Sequence, residues 1–182
     1  MANMDLQPTF EQRLILINQY KILEKLYPED EEMYSQYREI LEEGYTLHYN
    51  ELSQMISEDI PENKLREVLD ILDMYRGMYF AVSERENTPE YKNKQIFFPG
   101  FDGNEEIEQL KYTLFFIFKL DRYDELKKNN NYGSYNTHSN TLERYRKMLV
   151  KWKSITDKMK ITDEDLKWLI DNSVYGTLGD KE

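Results

Sequence analysis

The chain has 182 residues and a formal charge of −11 at neutral pH, with 40% apolar and 14% aromatic residues, enough to bury a sizeable core. It has no cysteine, which excludes a disulfide scaffold, a cysteine-ligated zinc or iron–sulfur site and a thiol nucleophile. The longest apolar run, Tyr112 to Phe118, falls short of the roughly 18 residues that span a bilayer, and the first residues show no leader pattern, so a cytoplasmic chain without membrane contact is expected.

Thr9 followed by Gln12 is a capping-box pattern and predicts a helix to about Tyr27. Its apolar residues Phe10, Leu14, Ile15, Leu16, Ile17, Tyr20, Ile22, Leu23 and Leu26 wrap more than one face, which predicts a central position. Pro28 ends it. The acidic run Glu29 to Glu32 suits the positive N-terminal end of a second helix, closing at Gly44 as a left-handed cap. A short third helix is expected near Asn50 to Glu58. Pro61 then opens a fourth, in which Leu65, Val68, Leu69, Leu72, Tyr75 and Met78 recur at helical spacing and Gly77 stands near the end.

Met78 to Ser83 and Lys94 to Phe98 are aromatic and β-branched stretches separated by a polar segment, and predict a β-hairpin. After the turn residues Pro99, Gly100, Asp102 and Gly103, a helix is expected from about Asn104 to Leu120, with Ile107, Leu110, Leu114, Ile117 and Phe118 inward. The Asn-rich stretch Lys127 to Ser139 reads as a long loop. Asn140 with Glu143 predicts a helix to about Ile155, and Thr162 with Asp165 opens the last one. The expected whole is a mainly α-helical single domain over 1–182, with helices and hairpin in a winged-helix-like part over 9–103 and a C-terminal helical part over 104–175.

Gln12 to Tyr45 (QRLILINQYKILEKLYPEDEEMYSQYREILEEGY) resembles the opening of the bacterial YfbU family. Asp70 to Tyr75 (DILDMY), Gly100 to Asp102 (GFD), the pair Arg122 and Tyr123, and the helix carrying Tyr145, Met148 and Trp152 follow in that family's order. The resemblance spans roughly Gln12 to Trp152 and departs from the family pattern in the loop at 124–139. It implies a fold and a bacterial or phage cytoplasmic setting rather than a reaction, so no catalytic residue carries over.

Charge is uneven. Residues 1–110 hold 24 acids and 10 bases, whereas residues 111–182 hold 11 acids and 14 bases. Arg144, Arg146, Lys147, Lys151 and Lys153, with Lys158 and Lys160 beyond, form a candidate basic face that could either meet nucleic acid or pair with the acidic part of the chain. A winged-helix order of elements also permits nucleic-acid binding. Against it, the reading helix from Pro61 to Arg76 carries Glu62, Glu67, Asp70 and Asp73, so such binding is possible but not favoured.

His48 and His138 belong to no close-spaced ligand motif, and no phosphate-binding glycine loop is present, so neither a metal nor another cofactor is expected. Arg122 ends an apolar helix before a polar loop, where it could hold an anion or anchor the loop, with Asp102 a plausible partner. Arg13, Asn18, Asp102, Arg122, Tyr123 and His138 are therefore the candidate polar cluster, with no catalytic residue assigned. Fifteen tyrosines suit an interaction surface, although an AT-rich genome would raise their number too. The favoured reading is a non-enzymatic interaction or regulatory protein, expected as a homodimer with an unidentified protein partner. A nucleic-acid-binding regulator is the alternative, and a hydrolase-like enzyme centred on Arg122 and His138 the second.

Overall fold

In the computed structural model, the described residues are 6–54, 56–83, 96–127, 134–158 and 160–173. They belong to two compact units, Met1–Asp59 and Ile60–Glu182.

In the first unit, helix α1 (Phe10–Leu26) begins at the expected capping box. The Thr9 hydroxyl accepts from the Gln12 amide at 3.2 Å, and the Gln12 side chain accepts from the Thr9 amide at 2.9 Å. After a 3₁₀ turn at Pro28–Asp30 comes α2 (Glu31–Glu43), closed as expected by Gly44 in the left-handed region at φ +72°. Arg38 of α2 donates to Glu24 of α1 at 2.6 Å and to Glu42 at 2.7 Å, while Lys21 meets Glu42 at 3.1 Å. The core of this unit is small: Ile40, Leu41 and Tyr49 are buried, with Leu6, Leu16, Ile17, Tyr20, Tyr37 and Leu52 partly buried around them. Instead of the third helix expected at Asn50 to Glu58, a 3₁₀ helix spans Thr46–Ser53 and residues 56–61 are irregular; Met55 lies outside the described residues.

The expected central position of α1 is overturned, because none of its residues is buried. One side packs on α2 through Leu16, Ile17 and Tyr20, Leu23 is partly buried, and Phe10, Leu14, Ile15, Ile22 and Leu26 stay exposed.

The second unit is organised by α3 (Glu62–Ser83), which buries Val68, Ile71, Leu72, Met74, Tyr75, Met78 and Val82. This helix corrects the expected hairpin. Met78 to Ser83 are its last turns, since Met74, Met78 and Val82 continue the four-residue spacing and packing overrides the strand preference of the aromatic and β-branched residues. Lys94 and Gln95 lie outside the described residues, and Ile96 to Phe98 form a turn rather than a strand. No strand occurs among the described residues, so the winged-helix-like arrangement is not supported. Gly77 does not end the helix either: a Cβ there would stand 2.2 Å from the Trp152 ring, so glycine lets the later helix approach.

The expected helix at 104–120 is α4 (Ile107–Leu114), which runs into a π turn at Phe115–Lys119. The Leu120 amide reaches the Phe115 carbonyl at 2.9 Å, five residues back. Leu110 and Ile117 face inward as expected, Leu114 is partly buried, and Ile107 and Phe118 are largely exposed. Helix α5 (Asp124–Lys127) is one turn; the Asn-rich residues 128–133 lie outside the described residues. Helices α6 (Leu142–Ser154) and α7 (Asp163–Asp171) complete the core through Tyr145, Met148, Leu149, Trp152, Leu166, Leu169 and Ile170. The Thr162 hydroxyl caps α7 by accepting from the Asp165 amide at 3.1 Å, as the sequence predicts. In all, the architecture is mainly helical.

Candidate functional site

The GFD segment is a structural knot. Gly100 holds φ +112°, and a Cβ there would lie 1.7 Å from the Tyr135 carbonyl oxygen, so only glycine fits. Phe101 forms an isolated parallel bridge with Asn136, and the Tyr145 hydroxyl donates to the Gly100 carbonyl at 2.6 Å. Asp102 is buried with Oδ1 accepting from the Asn104 amide at 2.9 Å. The joining residue is Glu106, only 1% exposed. Its carboxylate accepts from the Asp102, Thr141 and Leu142 amides and from the Thr141 hydroxyl at 2.7–2.9 Å. It thereby caps the first turn of α6, where the sequence suggested Asn140.

A second cluster lines a cleft of about 480 Å³ bounded by Asp73, Arg76, Gly77, Phe80, Ala81, Trp152 and Lys158. Arg76 pairs with Glu125 and lies over the Tyr123 ring at 4.5 Å and the Phe80 ring at 5.5 Å. The Tyr123 hydroxyl donates to Asp73 at 3.4 Å, and burial, followed by the Asp73 charge, pushes its phenol above the ordinary tyrosine range. Lys158 stands over the Trp152 ring at 5.2 Å. The cations of this cleft are thus engaged with carboxylate or ring.

The candidate polar cluster is distributed as follows. Tyr123 joins Arg76 and Asp73, and Asp102 sits in the GFD knot. Arg122 is exposed, and among the described residues its guanidinium makes no ion pair. His138 is exposed in the left-handed region at φ +52°, its amide donating to Asn136 at 3.0 Å. In the first unit, the Arg13 guanidinium caps α2, donating to the carbonyls of Leu41 and Glu42 beside Gly44. Asn18 is exposed on α1.

The five residues of the candidate basic face are engaged within the second unit. Arg146 makes a two-pronged bond to Glu67 at 2.7 and 3.0 Å, Lys151 meets Asp165 at 2.5 Å and Lys153 meets Asp70 at 2.6 Å. Arg144 donates to the Ser173 carbonyl at 3.1 Å, and Lys147 lies 5.9 Å from the Trp168 ring centre. The acids opposing this face come from α3 and α7.

The α1 surface differs in kind. Phe10, Ile15, Ile22 and Leu26 are 74%, 56%, 58% and 64% exposed, and Leu14 and Tyr27 add to them. Leu6, Pro8, Ile15 and Leu16 wall a shallow groove at its N-terminal end. A concentration of exposed apolar side chains on one helix is unlike the scattered singles of an ordinary surface.

The YfbU domain model matches residues 4–172, which is nearly the whole chain. The chain belongs to the YfbU family. A similar protein, described as UPF0304 protein MJECS11 of Methanocaldococcus jannaschii, is 36% identical over 153 residues, covering 81% of this chain and 88% of the relative. The resemblance read from Gln12 to Trp152 thus extends across both units of this YfbU chain.

Two residues of this YfbU chain escaped the sequence reading. Glu106 had a signal, standing four residues after Asp102 at the mouth of a helix, but nothing local linked it to Thr141. Arg76 carried none, because Glu125 lies 49 residues away.

Proposed function

We propose that this YfbU chain acts as a cytoplasmic protein-interaction module of non-enzymatic, regulatory type and associates as a homodimer. The observation that supports this reading is the exposed apolar surface of α1, where Ile15, Ile22 and Leu26 on one side, and Phe10 at the start of the helix, face solvent. Water contact with those four side chains is unfavourable, and a protein surface that covers them recovers the burial term. The first unit is a poor match for nucleic acid, with 13 acids against 4 bases in residues 1–59. Three of the five cations on the basic face of α6, Arg146, Lys151 and Lys153, are paired with Glu67, Asp165 and Asp70, which weakens the phosphate-binding alternative further.

Size-exclusion light scattering at low salt, with and without a mixed DNA and RNA pool, tests this reading. A dimer whose mass ignores nucleic acid is expected. A salt-sensitive increase in mass on adding the pool would overturn it in favour of the phosphate-binding regulator.

A further inference from the structure

The outer surface of α1 has a pattern that reads nearly the same from either end. Glu11, Ile15, Asn18, Gln19, Ile22 and Leu26 recur at three- and four-residue intervals, which places them along one side of the helix. Ile15 and Ile22 stand equally far from the midpoint between Asn18 and Gln19. So do the flanking aromatic residues Phe10 and Tyr27, both exposed. On this side charge reverses about the same point, with Glu11 in the first turn and Lys25 in the last, while Arg13, Lys21 and Glu24 are turned to Leu41, Glu42 and Arg38 of α2. The Lys25 ammonium makes only a long 3.5 Å contact with Glu31 and is well exposed, so it is available to another carboxylate.

We infer that α1 pairs antiparallel with α1 of a second copy of this chain, about a two-fold axis passing between Asn18 and Gln19. The inference rests on the interaction reading above and supplies its partner and register. A two-fold axis in the interface, perpendicular to both helices, sets Ile15 of each copy against Ile22 of the other. It also brings Glu11 of each copy to the flank where Lys25 of the other stands. A parallel pair would place Glu11 on Glu11 and Lys25 on Lys25, which like charge opposes.

At the centre, Asn18 meets Asn18 of the second copy on one flank and Gln19 meets Gln19 on the other. An amide both donates and accepts, so it can pair with its own symmetry mate, which a carboxylate or an ammonium cannot do. Polar residues in the middle of an apolar stripe then set the register. An unrelated protein helix would need no such symmetry in α1. An anionic lipid surface would meet a unit rich in acidic residues.

The absence of cysteine from the chain makes the test direct. Full-length variants carrying one cysteine each are oxidised and run on non-reducing gels. Asn18→Cys alone is expected to yield a covalent dimer, with Gln19→Cys as a second probe of the axis. Ile15→Cys and Ile22→Cys, carried on differently tagged chains, are expected to cross-link when mixed and not when alone. Self-cross-linking of each isoleucine position alone would overturn the antiparallel arrangement. Failure of every pair while light scattering still reports a dimer would overturn α1 pairing yet leave the interaction reading standing. A monomer at all concentrations would overturn both. As a second readout, Glu11→Lys should weaken the dimer several-fold and Lys25→Glu in the same chain should restore it.

Discussion

Helices α1 and α3 have similar compositions and opposite fates. Apolar residues make up roughly half of each. Seven side chains of α3 are buried, whereas α1 buries none. The difference lies in what surrounds them. Helix α3 meets α4, α5 and α6 in one continuous core, and a glycine admits the Trp152 ring against its backbone. Helix α1 packs on α2 along a single side. Apolar content therefore does not locate a helix in the interior; the number of elements that close around it does.

The sharpest way to test that contrast is to disturb the supports of the second unit. Glu106→Ala removes the acceptor for four donors that cap α6 and hold the GFD turn. A loss of about 3–5 kcal/mol is expected by urea unfolding, because buried donors lose a charged partner. Next comes one truncation made in both helices: Leu72→Ala should cost about 2–5 kcal/mol through the cavity it leaves. Ile22→Ala in α1 should change the stability of the dilute monomer by no more than about 0.5 kcal/mol. Equal losses in the two helices would break the comparison. Gly77→Ala should cost about 1–3 kcal/mol or more, since the added methyl meets the Trp152 ring. Thr9→Ala, which removes half of the capping box, should cost about 1 kcal/mol and fray the start of α1.

Three features that rest on short-range chemistry were legible in the sequence, whereas the Asn140 and Glu143 pattern was not realised because the remote Glu106 caps α6. The Thr9 capping box, the Gly44 cap and the Thr162 cap each involve residues within a few positions of one another, and each appears where expected. Features decided by distant packing were not. Met78 to Ser83 have strand-like composition, but the inward spacing of Met74, Met78 and Val82 keeps them helical. Gly77 resembles a helix end until Trp152, 75 residues away, is placed on it. Of the candidate polar residues, Arg13 and Asp102 lie beside helix ends as caps and turn anchors, and Tyr123 joins a cluster whose other members, Asp73, Arg76 and Glu125, come from remote positions. The basic residues of α6 stood out as a run, whereas Glu67, Asp70 and Asp165, their partners, are scattered through the sequence.

The proposed contact surface on the outer side of α1 is tested by light scattering over a concentration series on the wild-type chain and on the double variant Ile15→Glu, Ile22→Glu. Twice the 22.1 kDa chain mass is expected for the wild type, and a single chain mass for the variant with its circular dichroism unchanged. A wild type that stays monomeric throughout, or a variant that still dimerises, would contradict it.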